Sequence, residues 1–217
     1  MSPKFARLRG KKDPQTNEID PKWINLDTIR SWMNTCRKDH VCLDYTDFGS
    51  PPTWLIDVCN ECLISPAATR GRVRYCALSY VWGGVESSRL STASVHEFSQ
   101  PGAFSVSRKN ITIPKTVRHA MNLVRALGEK YLWVDALCIV QDDSSQLSHE
   151  LRNMGAIYND AYLTIVAATA WDADEGLRGL RNITPPRHIS NDLDADLQTY
   201  VDPESMVWVS EPPPCCD

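Results

Sequence analysis

The sequence predicts an α/β fold, a mostly parallel sheet flanked by helices, with a helical N-terminal extension. Three observations predict it. Between residues 75 and 169, strand-like apolar runs alternate with helical patterns. The run "YLWVDALCIV" (131–140) is apolar on both alternating faces, as a strand covered by helices on each side must be. Upstream of that alternation, Leu26, Ile29, Met33 and Cys36 recur at three- and four-residue steps, which places them on one face of a helix.

That first helix is expected to be capped at Asn25 or Asp27 and to end near Asp39. After a turn-rich stretch with Gly49, Pro51 and Pro52, "TWLIDVCNECLI" (53–64) and "VRYCALSYVW" (73–82) each read as one strand, rich in β-branched and aromatic residues. Residues 84–113 are rich in Ser, Gly and Thr and hold no sustained period. They predict a long loop with one short element at 93–98, and loops of that length inside a domain are usually functional or mobile. Pro114 opens a helix that buries Val117, Ala120, Met121, Val124 and Leu127, and Gly128 stops it. The run 131–140 then reads as the central buried strand. Asp143, with Gln146 three residues on, makes a capping-box-like start to a helix whose buried stripe is Leu147, Leu151, Met154 and Tyr158. "AYLTIVAATA" (161–170) is the last strand. Beyond about residue 180 the chain is rich in Pro and Asp, with one short apolar run, "MVWVS", that has no assigned place. The expected organisation is a tail over 1–22, a helix-and-strand extension over 23–72, a central domain over 73–180 and a C-terminal extension over 181–217.

The 217 residues suffice for one substantial core. Apolar content of 42% and charged content of 23% are ordinary globular usage, and a formal net charge of -4 offers no attraction to a polyanion. The basic cluster Arg7, Arg9, Lys11 and Lys12 reads as a solvated tail, so no nucleic-acid partner is expected. "MSPKFARLRGKKDP" carries basic residues with no apolar run after them, and no window approaches the roughly 18 apolar residues of a membrane span. A soluble, cytoplasmic chain is therefore expected, with no membrane partner. In that reducing setting the eight cysteines stay reduced, and the Asn-x-Thr triplets at Asn110 and Asn182 carry no glycosylation meaning.

Loops at the C-terminal edge of a parallel sheet form the usual ligand crevice. One such loop brings Ser79, Tyr80, Trp82, Gly83 and Gly84, and another brings Gln141, Asp142 and Asp143. The glycines permit close backbone approach, and the others supply hydroxyls and a flat surface for a ring. Glu150 falls about 70° from the centre of its helix's apolar stripe, at the border of the buried face. Helix geometry alone favours a solvated or cation-paired residue there, although a border carboxylate near a strand edge also points into a crevice. Asp135, within an apolar strand, must be paired or hydrogen-bonded, a need that is often purely structural. Cys59-x-x-Cys62 has zinc-ligand spacing, and Cys36, His40 and Cys42 offer further ligands. The first group is irregularly spaced and Cys36 belongs to an apolar helix face, so buried thiols are the favoured reading and no metal is assigned. Cys76 and Cys138 read as core.

"RYCALSYVWGG", "IPKTVRHAMNLVRALGEKYLWVDALCIVQDD" and "MGAIYNDAYLTIVAATAWDADEGLRG" resemble, in order and spacing, successive blocks of the fungal heterokaryon-incompatibility (HET) domain over residues 73–180. The upstream "WMNTCRKDHVC" and "PPTWLIDV" are similar to the segment that often precedes it. The resemblance implies a module that triggers programmed cell death when genetically different hyphae fuse. It also implies a distant kinship with Toll/interleukin-receptor (TIR) domains, hence a TIR-like three-layer core. Some TIR domains cleave NAD with a glutamate on a helix beside the crevice, and that role carries over to Glu150, with NAD as substrate and no cofactor. Where many HET sequences carry Asp-Trp ahead of that glutamate, this chain has Gln146 and Leu147, and where the family often has Asp in the "PKT" helix it has His119. Three readings stay open: an NAD-cleaving effector, with Ser79, Tyr80, Trp82, Gly83, Gly84, Asp135, Gln141, Asp142 and Asp143 binding substrate; a non-catalytic interaction module; and a truncated decoy. The partners implied are further copies of the chain and other HET or NLR-like incompatibility proteins.

Overall fold

The computed structural model describes residues 20–39, 50–68, 73–168 and 170–187. The first helix, α1 (Leu26–Asp39), is capped as its sequence implies: Asn25 Oδ1 accepts the N–H groups of Asp27 and Thr28, and Ile29 and Met33 are buried. The elements that follow are β1 (Leu55–Asp57), β2 (Cys62–Ile64), β3 (Cys76–Ser79), α2 (Val95–Phe98), α3 (Lys115–Leu127), β4 (Tyr131–Trp133), α4 (Asp135–Cys138), α5 (Ser144–Asn159) and β5 (Leu163–Val166). A 3-10 turn covers Pro66–Ala68.

The α/β class holds, but the sheet is mixed. Its order is β2-β1-β4-β3-β5, with β3 parallel to β4 and β5, and β1 antiparallel to β2 and β4. The cause lies in "TWLIDVCNECLI", which is two strands and a turn where one strand was expected. The buried Asp57 carboxylate accepts the N–H groups of Cys59 and Asn60, and Glu61 takes a φ of 50°. A chain reversed that tightly can only pair antiparallel. Lys130 stands 3.3 Å from the same carboxylate and supplies its counter-charge.

β4 is central, yet only its first three residues are strand. From Asp135 the run "DALC" is a helical turn, where the sequence suggested strand through Val140. An uninterrupted apolar run has no period to separate a buried strand from a buried helical turn, and here the Cys138 N–H closes the turn on the Val134 carbonyl at 2.7 Å. Leu132 and Trp133 point to opposite faces of β4 and both are fully buried, so the centre of the sheet is covered on each side. Trp133 meets Tyr158 of α5 edge-on, with ring centroids 5.3 Å apart.

α3 ends at Gly128, whose left-handed φ of 84° lets its N–H close back on Arg125. The short element expected at 93–98 is α2. The long loop around it is firmly packed: Phe98 and Phe104 are buried against each other, and the Gly102 and Phe104 N–H groups bond to the carbonyls of Asn60 and Glu61 on the β1–β2 turn.

α5 starts at Asp143, whose carboxylate accepts the Ser145 and Gln146 N–H groups, as the capping-box pattern implies. Of the expected stripe, Leu147, Met154 and Tyr158 pack half-buried against the core and Leu151 does not. Leu151 is 53% exposed, and the buried side chains are Glu150 and Ile157. The helix thus turns a carboxylate inward where the pattern put a leucine. At the ends of the described chain, Ile24 donates to the Gly179 carbonyl and Arg187 to that of Lys22. No helix among the described residues is long and apolar enough to cross a membrane. The basic cluster at 7–12 and the run "MVWVS" lie outside the described residues.

Candidate functional site

The strands β3, β4 and β5 run parallel and end at one edge, where the loops after them meet. The Trp82 carbonyl accepts the Ala173 N–H at 3.3 Å, joining the loop after β3 to the loop after β5. Gly83 makes that junction possible: its φ is +62°, and a Cβ there would lie 2.5 Å from Asp172 Cβ and 2.9 Å from Asp172 Cα. Trp171, next to this contact, is 82% exposed.

Across the same edge the Trp82 indole N–H is shared by the two Asp135 oxygens, at 3.1 and 3.0 Å. The Arg89 guanidinium stacks on the indole 4.5 Å from the ring centroid. Burial pushes the Asp135 carboxyl above its ordinary range, against the Ala136 and Trp82 N–H donors and the Arg89 charge. Burial also pushes up the Tyr80 and Tyr158 phenols, Tyr158 to about 12, and the Asp135 charge pushes both the same way. The four groups form one cluster in which a half-buried carboxylate faces an indole and two protonated phenols. It offers a ring platform, the Tyr80 hydroxyl and a carboxylate beside the Arg89 cation, while the Tyr158 hydroxyl donates to the Leu78 carbonyl at 3.1 Å.

Glu150 is buried to 3% exposure at the second turn of α5. Because β1 is antiparallel to β4, the chain entering β1 lies at this edge as well, and it brings Thr53 onto Glu150. The Thr53 hydroxyl and N–H both donate to Glu150 Oε1. Oε2 is buried and finds no hydrogen-bond partner among the described residues.

The other residues of the expected site are engaged in holding the loops. The Ser79 carbonyl accepts the Ala167 N–H. Gln141 Nε2 donates to the Asp135 and Ile139 carbonyls. Asp142 accepts the Thr92 N–H and hydroxyl at 2.7 and 2.8 Å, and the Thr92 N–H holds its carboxyl below the ordinary range. Asp143 is the α5 cap. The space over Gly83 is filled by Asp172, whereas a Cβ added at Gly84 would meet nothing within 4 Å among the described residues.

Residues 75–210, more than half of the chain, match the family described as Heterokaryon incompatibility protein (HET). The chain belongs to the HET family. It is also 36% identical over 108 residues to Heterokaryon incompatibility protein 6, OR allele, of Neurospora crassa, an alignment that covers 48% of this chain and 16% of that protein. No solved structure matches.

The HET match contains every residue of the Trp82–Asp135 cluster and Glu150, but not Thr53, which lies upstream of it. Neither Thr53 nor Arg89 stands out in the sequence. Thr53 is a polar loop residue whose partner lies far along the chain, and Arg89 meets Trp82 within one loop that holds no period, so no periodicity marks either pair.

Of the cysteines, Cys62, Cys76 and Cys138 are buried and Cys36 is half-buried, while Cys59 is exposed on the β1–β2 turn, contrary to the buried-thiol expectation. Burial raises the Cys62 thiol and raises Cys76 to about 12, so both stay protonated and unreactive at neutral pH. Among the described residues no group of three or more His, Cys, Asp or Glu is placed to hold a metal, and His40 and Cys42 lie outside them.

His119 of α3 holds the loop after β5 in this HET chain. Its Nδ1 accepts the Leu177 N–H at 3.0 Å, and a Cβ on Gly176 would lie 2.5 Å from it. Burial pushes the imidazole below its ordinary value, with the Lys115 cation acting in the same direction. The unfolded chain therefore binds the proton more readily than the folded one. The stability that follows is present above the unfolded value of about 6.5 and is lost as pH falls through the lower folded value. The melting temperature is expected to drop between pH 7.5 and 5.5, and to drop less in His119→Gln. Equal drops in the two proteins would overturn this.

Proposed function

We propose that this HET chain is an effector module of fungal heterokaryon incompatibility that triggers programmed cell death by cleaving NAD at the nicotinamide–ribose bond. The observation that carries the reading is Glu150: a carboxylate held 3% exposed at the sheet edge with one oxygen unpartnered among the described residues. Structures rarely leave a buried carboxylate oxygen unpaired, and those that do so commonly use it. NAD comes to the proposal through the TIR-like kinship implied by the sequence.

The chemistry suits such a group. As the glycosidic bond breaks, its electron pair leaves with the nicotinamide nitrogen, which departs neutral, and positive charge develops on the ribose. A carboxylate in a water-poor site stabilises that charge far better than it would in bulk water. Water then adds to the anomeric carbon and gives up its proton to solvent, leaving ADP-ribose. The half-buried indole of Trp82 offers a stacking surface, and Asp135 and Tyr80 lie beside it as partners for ribose hydroxyls. Action in the cytoplasm, with further copies or with other HET or NLR-like proteins, belongs to the same proposal.

The test is nicotinamide release from NAD by concentrated purified protein. Glu150→Gln is expected to lower it at least about 100-fold, the size of effect seen when one charge-stabilising group is removed from an active site. A Glu150→Gln protein that still kills hyphae would replace the proposal with a non-catalytic interaction module. Trp171, 82% exposed at the same rim, is the residue that would then anchor the partner.

A further inference from the structure

We propose that residues 50–53 form a latch that masks Glu150, so that the described fold is the closed form of the site. The latch rests on the reading of Glu150 as the acting carboxylate. Its segment, Ser50-Pro51-Pro52-Thr53, precedes β1 and lies outside the HET match.

Pro51 and Pro52 have no N–H, so the segment carries two backbone donors, those of Ser50 and Thr53. Both go to α5 side chains one turn apart: the Ser50 N–H to Asn153 Oδ1 at 3.2 Å, and the Thr53 N–H to Glu150 Oε1 at 3.3 Å. Asn153 Nδ2 donates back to the Ser50 carbonyl, and the Thr53 hydroxyl adds a second bond to Oε1. Four hydrogen bonds to two residues on one helix face, together with the burial of Pro52, thus hold the segment down. The sheet does not hold it, because the strand pairing begins only at Leu55 with Ile64 and at Ile56 with Leu132. The segment can therefore lift without unpairing β1. Paired prolines keep it extended, so it lifts as one stiff piece.

Glu150 itself favours such a motion. A carboxylate with Thr53 over one oxygen and the other sealed from solvent cannot touch a substrate. Lifting the segment frees Oε1 and brings solvent to a carboxylate that is buried beneath Thr53, so opening has a favourable component at the very residue it uncovers.

The experiment is carbodiimide-driven amidation of carboxyl groups in the full chain, with labelling of Glu150 read by mass spectrometry beside nicotinamide release. Asn153→Ala removes two of the four hydrogen bonds from a partly exposed position and is expected to raise Glu150 labelling at least about fivefold, the population shift produced by losing two hydrogen bonds at the weak end of their usual range. Thr53→Val should do the same and Thr53→Ser should not, with circular dichroism confirming that each variant is folded. Should Thr53→Val fail to fold, Asn153→Ala and Thr53→Ser still decide the matter. Labelling that rises together with nicotinamide release supports both the latch and the catalytic reading. Labelling that rises with no release from any variant supports the latch and overturns NAD cleavage. Labelling unchanged in Asn153→Ala overturns the latch, whatever the NAD result.

Discussion

Glu150→Met is expected to melt at a higher temperature than the natural chain while releasing no nicotinamide. Methionine has nearly the length and volume of glutamate but no charge to desolvate. The natural residue keeps Oε2 buried without a partner among the described residues, a condition that costs about 1–3 kcal/mol. The change removes that cost, and the Thr53 hydroxyl and N–H, at an exposed residue, turn to water instead. Replacing a poorly satisfied buried charge with an apolar group of similar shape is often neutral or stabilising. A gain of about 1–2 kcal/mol follows, or about 2–4 °C in melting temperature for each kcal/mol in a chain of this size. A gain in stability joined to a loss of function is the mark of a residue kept for what it does. A melting temperature lowered by more than a few degrees would instead make Glu150 a structural anchor for the segment before β1, and would remove the main support for catalysis.

Gly83→Ala is expected to destabilise the fold by about 2–4 kcal/mol, the sum of a left-handed backbone for a residue with a Cβ and of overpacking against a neighbour that cannot give way. The neighbour is backbone: the new Cβ would sit 2.9 Å from Asp172 Cα. Gly84→Ala is the control. A Cβ there meets nothing within 4 Å among the described residues, so the change should stay within about 0.5 kcal/mol. Denaturant unfolding of the three proteins checks the pair. Equal stability of Gly83→Ala and the natural chain would mean that the loops after β3 and β5 do not meet at Gly83 and Asp172.

The same loops show where sequence reasoning reached and where it stopped. Helix α3 was legible to the residue and α1 to within two residues at its start, because an amphipathic period of 3.6 repeats over several turns and their ends carry local signals: Asn25 or Asp27 at the start of the first and Gly128 at the end of the second. The cap of α5 was legible for the same reason. Its buried face was legible at Leu147, Met154 and Tyr158 but not at the second turn, since Leu151 and Glu150 are adjacent and only the packing of the neighbouring chain decides which of them turns inward. The Trp82–Asp135 pair was legible in part: topology placed Trp82 at the strand edge but Asp135 inside the strand, and the hydrogen bond between them joins positions far apart in sequence, while Arg89 reaches the indole from within the same loop.

From its residues alone this chain determines an α/β alternation, the parallel core of β3, β4 and β5, the helix caps, and membership of the HET family. Each of these depends on patterns that repeat locally or on blocks in a fixed order. Tertiary structure decided the rest. It folded "TWLIDVCNECLI" into a hairpin, which made the sheet mixed and brought the chain before β1 to the edge that carries Glu150. It buried Glu150 under Thr53, 97 residues away in sequence. Burial and partnership at that distance are properties of the packed chain: whether a carboxylate faces water or a threonine depends on which segments meet, and the free energy that decides it does not exist until they do.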